Sequence, residues 1–346
     1  MCREKVAVLG AGSWGTAIAT VLQNNGHQVS LWMRNKEQAS KISQSRMNLK
    51  YLPETMLSDQ IIIETDMNRV LDHAQTVVLA VPTQQIRSVL QSWGHFIPSE
   101  ALIINLAKGI EKSSYCKISE IVSEELGERS YAVVSGPSHA EEVAKRMPTT
   151  LVAASRSKKL AERAQDLFMN PYLRVYTNPD VTGVELAGAL KNVIAFGAGI
   201  ADGIGYGDNA RAALITRGIT EIARLGQAMG ASINTFAGLA GIGDLIVTCT
   251  SMHSRNRRAG ILIGEGKSLD ESLNSVGMVV EGVFTASAAY ELAKRYAVDM
   301  PITSAIYHVI YEQQDVQEAV RELMTRQRKN EMEEVAASAA DDWSEE

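Results

Sequence analysis

An apolar run, KVAVL from Lys5 to Leu9, leads directly into GAGSWGTAIATVL, which places glycines at Gly10, Gly12 and Gly15. No other feature constrains the chain as much. The G-x-G-x-x-G spacing demands a buried strand, a tight turn, and a helix whose free N–H groups point back over that turn. The first glycine permits the turn, the second lets a ligand approach the backbone, and the third lets the helix pack closely on the strand. A helix start of this kind carries partial positive charge and suits a pyrophosphate. The spacing alone also fits a glycine-rich turn that binds nothing. The strand before it and the helix expected over Ser13–Leu22 supply the context that a dinucleotide cradle needs.

The chain has 346 residues and is 45% hydrophobic, which is enough for two domains with sizeable cores. Short apolar or β-branched runs fall at 5–9, 28–33, 61–64, 76–81, 101–105, 131–135, 149–154 and 172–177, most of them separated by helix-like segments. That alternation predicts an α/β fold with a doubly wound, mainly parallel sheet. The stretch SRMNLKYLPETMLSD, 45–59, shows no period and carries Pro53, so it reads as a long loop. After about Asn178 strand-like runs stop and Ala/Gly/Leu-rich helices dominate to about Arg328, beginning with one long buried helix over Val181–Gly203. The expected organisation is a Rossmann-type dinucleotide-binding domain over 1–180, an all-helical substrate domain over 181–330, and a disordered acidic tail over 331–346. Trp343 in that tail reads as part of a solvated segment, with a partner-binding anchor as the alternative. The small-residue helices fit a homodimer interface and buried intrachain packing equally well.

The net charge of −6 resides in the tail: seven acidic residues follow Lys329 with no base among them, which leaves 34 basic against 33 acidic groups before it. A neutral body with an acidic tail argues against a nucleic-acid partner. Cys2, Cys116 and Cys249 are far apart and form neither a C-x-x-C pair nor a disulfide framework, as expected of a cytoplasmic protein. The six dispersed histidines show no metal-ligand spacing. Arg3 and Lys5 before an apolar run faintly resemble a signal peptide, but the three glycines break the run. No stretch of 18 uncharged apolar residues reads as a membrane span; the segment around Val193–Ile204 is too short and contains Asp202.

In dinucleotide folds the second strand usually ends in an acid that binds the ribose 2′-OH of NAD(H). Here QVSLWMRN puts Arg34 at that place. A guanidinium can clamp a 2′-phosphate in a bidentate way, so NADP(H) is favoured. Alternatively, Arg34 is a solvated charge against the adenine, which leaves NAD(H) and NADP(H) level. The later strands end at Val81-Pro82, at Asn105, Lys108 and Gly109, and at Ser135 to His139, loops that converge on the same crevice.

Lys191 lies inside the long apolar helix, flanked by Leu190, Asn192 and Val193. Burial lowers a lysine's pKa and makes it a proton exchanger near neutrality, unless the side chain snorkels to solvent. Glu185, six residues earlier, is not a close intrahelical partner. Asp244 sits in the glycine-rich turn of FAGLAGIGDLIV, where an unpaired carboxylate is costly. Pairing with Lys191 would satisfy both; the simpler role is capping a helix that starts at Leu245. Ser254-Arg255-Asn256-Arg257-Arg258 then opens another helix, either as an anion site suited to a phosphate or as a basic surface turn.

The motifs GAGSWGTA, AKGIE, VSGPS, ELAGALKNV, AALITRG, GLAGIGDL, TSMHSRNR and VVEG occur in that order. Over about residues 3–328 the chain resembles the bacterial type of NAD(P)+-dependent sn-glycerol-3-phosphate dehydrogenase, whose fold is 6-phosphogluconate-dehydrogenase-like. The resemblance implies reversible NAD(P)H-dependent reduction of dihydroxyacetone phosphate to sn-glycerol 3-phosphate, supplying glycerophospholipid synthesis. It implies cofactor contacts from Ser13, Trp14, Arg34, Lys108, Ala140, Arg255, Val279 and Glu281, beside the glycines of the turn. It implies a substrate site of Lys108, Gly136, Ser138, Lys191, Asp244, Ser254, Arg255 and Asn256, with Lys191 as proton donor and acceptor. His139 departs from the pattern, since relatives usually carry a bulky aromatic after Ser138. Two other readings fit the same residues: a reductase of a 2-keto or 3-hydroxy acid, and a non-catalytic NADP(H) sensor that signals through its tail.

Overall fold

The computed structural model describes residues 3–328. The expectations for Cys2, for the tail over 331–346 and for Trp343 lie outside the described residues. The strands are β1 (Lys5–Leu9), β2 (Gln28–Trp32), β3 (Met47–Asn48), β4 (Leu52–Met56), β5 (Ile62–Glu64), β6 (Thr76–Leu79), β7 (Leu102–Asn105), β8 (Tyr131–Ser135), β9 (Thr149–Ala154) and β10 (Leu173–Asn178). Between them run α1 (Ser13–Asn24), α2 (Lys36–Ser45), α3 (Met67–Leu71), α4 (Thr83–Trp93), α5 (Ile118–Leu126), α6 (Ala140–Ala144) and α7 (Lys158–Phe168). The second half holds α8 (Val181–Gly203), α9 (Asp208–Ala228), α10 (Ile233–Phe236), α11 (Asp244–Thr250), α12 (Arg255–Gly264), α13 (Leu269–Val276), α14 (Glu281–Arg295), α15 (Pro301–Tyr311) and α16 (Val316–Met324).

Eight strands form one sheet in the order β10-β9-β8-β7-β6-β1-β2-β5, parallel throughout except between β8 and β9. The first strand explains why both faces must be covered. Val6 and Val8 join one core with Leu31 and Val78, while Ala7 and Leu9 join the other with Val77 and Leu79. From β1 the chain winds outward through β2 to β5, then returns to β6 on the other side of β1. That reversal creates a switch point beyond the carboxyl ends of β1 and β6, where ligands bind in such sheets.

The expected loop over 45–59 is instead structured. α2 runs to Ser45, Arg46 takes a left-handed backbone at φ 55, and β3 pairs antiparallel with β4 through Met47↔Met56 and Asn48↔Leu52. Pro53 is tolerated because this two-stranded ribbon leaves it exposed at an edge. Asn48 Nδ2 donates to the Ala11 carbonyl and to Thr16 Oγ1, both at 2.9 Å, and Ser13 Oγ donates to the Tyr51 carbonyl at 2.7 Å. The ribbon is thereby pinned onto the glycine turn.

α8 spans Val181–Gly203 and is buried on all sides from Val184 to Ala201. By length and composition α8 and the stretch Ile233–Thr250 could each cross a membrane; the apolar window of α8 is entirely enclosed by protein. Its small residues serve backbone contact with α12. A Cβ on Gly199 would strike the Arg257 carbonyl, and one on Gly260 would strike the Phe196 carbonyl and come within 2.9 Å of Ile200 N. Gly203 and Gly264 are equally tight against Ile261 and Ile200. Intrachain packing therefore accounts for these glycines.

Candidate active site

A crevice of about 1570 Å³ opens at the switch point and runs between the sheet and the helical half. Of the residues singled out in the sequence, Gly10, Gly12, Ser13, Trp14, Arg34, Lys108, Ser138, Ala140, Lys191, Ser254, Arg255, Asn256, Val279 and Glu281 line it. Gly15, Gly136 and Asp244 stand behind its wall.

The glycine turn fits a dinucleotide. Gly10 has φ 120, and a Cβ there would sit 2.7 Å from the Ala80 carbonyl carbon and oxygen. A Cβ on Gly12 would meet nothing within 4 Å, so this side of the turn is open to a ligand. Gly12 also gives α1 no capping side chain, which leaves the first N–H groups of the helix unclaimed by one. The buried Trp14 Nε1 has no partner among the described residues. At the far end Arg34 is exposed at the end of β2. From the helical half, Glu281 accepts the Thr83 N–H through Oε1 at 3.0 Å while its Oε2 has no partner among the described residues; burial raises its carboxyl pKa.

Lys191 does not snorkel. It is 5% exposed, and Nζ donates to Asp244 Oδ1 at 2.7 Å and to Thr248 Oγ1 at 2.6 Å. Asp244 is itself the first residue of α11, and its side chain caps nothing; it faces two lysines. Lys108 Nζ donates to its Oδ2 at 2.7 Å, to the Gly136 carbonyl at 2.8 Å and to Ser138 Oγ at 3.4 Å. One buried carboxylate thus bridges two cations that come from the sheet and from α8. Burial raises the Asp244 carboxyl, but Lys108 and Lys191 outweigh it and hold the group below the usual aspartate range. Burial, aided by the Lys108 charge, pulls Lys191 down to about 8 against the opposing pull of Asp244. Glu185 pairs elsewhere, with Ser119 and Tyr131.

The α12 start divides its five polar residues. Ser254 Oγ caps the helix by accepting the Arg257 N–H, and Arg257 itself turns away to Asp202 at 2.7 and 2.8 Å. Arg255 and Arg258 line the crevice. Asn256 is largely committed to the fold: its Nδ2 donates to Asn192 Oδ1 at 2.9 Å and its Oδ1 accepts the Gly282 N–H at 2.8 Å. Asn192 Nδ2 completes the chain to the Lys108 carbonyl at 2.9 Å. Thr248, Asn192 and Thr83 escaped the sequence reading. Thr248 had a usable signal, since it lies four residues after Asp244 and so on the same helical face.

Comparison with known proteins gives concordant matches. The profile described as NAD-dependent glycerol-3-phosphate dehydrogenase N-terminus matches residues 5–161, and the corresponding C-terminus profile matches 180–321. The glycerol-3-phosphate dehydrogenase [NAD(P)+] of Geobacillus kaustophilus is 57% identical over 335 residues, covering 96% of this chain and 97% of the relative. That of Bacillus subtilis is 52% identical with the same coverage. The crystal structure of glycerol-3-phosphate dehydrogenase from Coxiella burnetii superposes with a TM-score of 0.91 at 38% identity, covering 94% of this chain and 99% of that one.

Proposed function

Because the chain belongs to the NAD-dependent glycerol-3-phosphate dehydrogenase family, we propose that Lys191 passes the proton in its reversible reduction of dihydroxyacetone phosphate to sn-glycerol 3-phosphate. The nicotinamide cofactor, NADP(H) or NAD(H), supplies hydride when bound. Gly10, Gly12, Ser13, Trp14 and the α1 start hold its pyrophosphate region, and Val279 and Glu281 close on it from the helical half. Arg34 takes the 2′-phosphate and tilts the preference toward NADP(H).

During reduction, negative charge builds on the carbonyl oxygen. The Lys191 ammonium stabilises that charge and donates its proton from Nζ. With a pKa near 8 it is charged at neutral pH yet releases the proton readily. In the reverse direction the neutral amine accepts the alcohol proton, so oxidation rises and reduction falls as pH climbs through about 8. Asp244 and Thr248 fix the Nζ position. Arg255, with the Ser254-capped start of α12, binds the remote phosphate, and that binding energy orients the reacting carbon. We place the reaction in the cytoplasm, where the free thiols Cys116 and Cys249 stay reduced and the product feeds glycerophospholipid synthesis.

The observation that carries this reading is the buried Lys191–Asp244–Lys108 bridge at the floor of the crevice. Lys191→Ala is expected to lower dihydroxyacetone phosphate reduction by about 10²–10⁴-fold, with NADPH affinity by fluorescence titration unchanged. A variant that loses NADPH binding in step with turnover would refute the assigned role.

A further inference from the structure

The crevice sets donors beside its lining carboxylates Glu54, Glu141 and Glu281. Lys108, Lys191 and Arg255 all present N–H groups. Both Asp244 oxygens are taken by lysines, and the Asn256 carbonyl holds Gly282. A triose phosphate brings a carbonyl and a phosphate, which want donors, and also a terminal hydroxyl, whose hydrogen needs an acceptor.

His139 supplies one. It follows Ser138 at the entry to α6, is half-buried, and lines the crevice. Its ring stands 5.7 Å from that of His253 on the loop before α12. Nε2 is buried with no partner among the described residues. The other groups that act on it are Lys191 on α8, Lys108 beyond β7, Glu141 on α6 and the Val247 backbone on α11. Burial first, then the two lysines, depress its pKa, which keeps the imidazole neutral. A neutral ring carries one N–H and one lone pair; with the N–H toward Val247, the other nitrogen is left as an acceptor.

We propose that His139 is a specificity-determining residue that accepts a hydrogen bond from the terminal hydroxyl of the substrate. The proposal rests on dihydroxyacetone phosphate being the substrate. A site built to bond a hydroxyl rejects an analogue lacking it, because the site's own polar group is left unpaired.

The test compares kcat/KM for dihydroxyacetone phosphate and for acetol phosphate, which lacks only that hydroxyl, with saturating NADPH between pH 5.5 and 8.5. Wild type should favour the hydroxylated substrate by roughly tenfold, the value of one such hydrogen bond. His139→Phe should bring the ratio close to one, and His139→Gln, which keeps an acceptor, should retain part of it. In wild type the ratio should fall on acidification, as the ring protonates, and in His139→Phe it should be flat. Titration of the substrate phosphate cancels in the ratio. Equal losses for both substrates in either variant would overturn the proposal. If His139→Phe does not fold, His139→Gln decides. Wild type inactive on dihydroxyacetone phosphate would instead refute the substrate reading, and this proposal with it.

Discussion

Asp244→Asn isolates what the central carboxylate does. The substitution keeps shape and one acceptor oxygen but removes the charge that holds Lys191 at 2.7 Å. Two unit charges at 4 Å in surroundings of effective dielectric 20 attract by about 4 kcal/mol. If roughly a third of that is recovered through water and the amide oxygen, about 2.7 kcal/mol is lost, or a hundredfold in proton affinity. Lys108 beside the same oxygen pair adds repulsion that nothing then neutralises. Starting from a pKa of about 8, Lys191 passes from about nine-tenths ammonium at pH 7 to about one-tenth. Reduction at pH 7 should therefore fall at least about tenfold from protonation alone. The diagnostic is recovery: kcat/KM for reduction should climb again as pH is lowered, with its basic limb displaced by about two pH units. Progress curves at 340 nm across pH 5–9, in both directions, read this out. A limb that stays near 8 in the variant, or a loss equal at every pH, would refute the claim that Asp244 works by setting the charge of Lys191.

Arg34→Asp should raise KM for NADPH far more than for NADH, through lost attraction and new repulsion at the 2′-phosphate; steady-state kinetics with both cofactors checks the inversion. Gly260→Ala would push a Cβ into the Phe196 carbonyl and part α12 from α8. Overpacking of this kind costs about 1–3 kcal/mol, so the thermal midpoint should drop by several degrees. KM for dihydroxyacetone phosphate should rise as Arg255 is displaced relative to Lys191.

Much of the fold was legible because both kinds of buried element leave local marks. KVAVL alternates between two cores, and the three glycines mark the turn after it. The helix over Val181–Gly203 was legible from its long run of small and apolar residues, and in the structure Asp180 caps its start. The ribbon over Met47–Met56 failed the same test for a physical reason. β3 has two residues, too few to show a period, and its place is set by long-range bonds from Asn48 to Ala11 and Thr16. The reversed direction of β9 was equally invisible, since a strand buried on both faces reads the same either way.

The site divides along a similar line. The apolar settings of Lys191 and Asp244 pointed to a partner for each, because an unpaired buried charge is costly, beside the alternatives of snorkelling for Lys191 and helix capping for Asp244. Their mutual pairing could be read from that need, but the share taken by Lys108 did not follow. Lys108 lies 136 residues from Asp244, and its own sequence neighbourhood gives no sign that it shares that carboxylate. The sharing matters chemically. A simple Lys191–Asp244 pair would stabilise the ammonium and hold its pKa high. Burial pulls that pKa down, and the second lysine on the other oxygen divides the attraction and adds repulsion, so the proton on Lys191 becomes releasable near neutrality. The consequence reaches beyond Lys191, since the same two positive charges help keep His139 neutral. Removing the Lys108 charge while keeping its length, as in Lys108→Met, should then shift Lys191 and His139 upward together. Reduction would hold its rate to higher pH, and discrimination against acetol phosphate would weaken at a higher pH than in wild type. Only a coupled displacement of both profiles fits a shared electrostatic cause; if one moves without the other, the two groups are tuned separately.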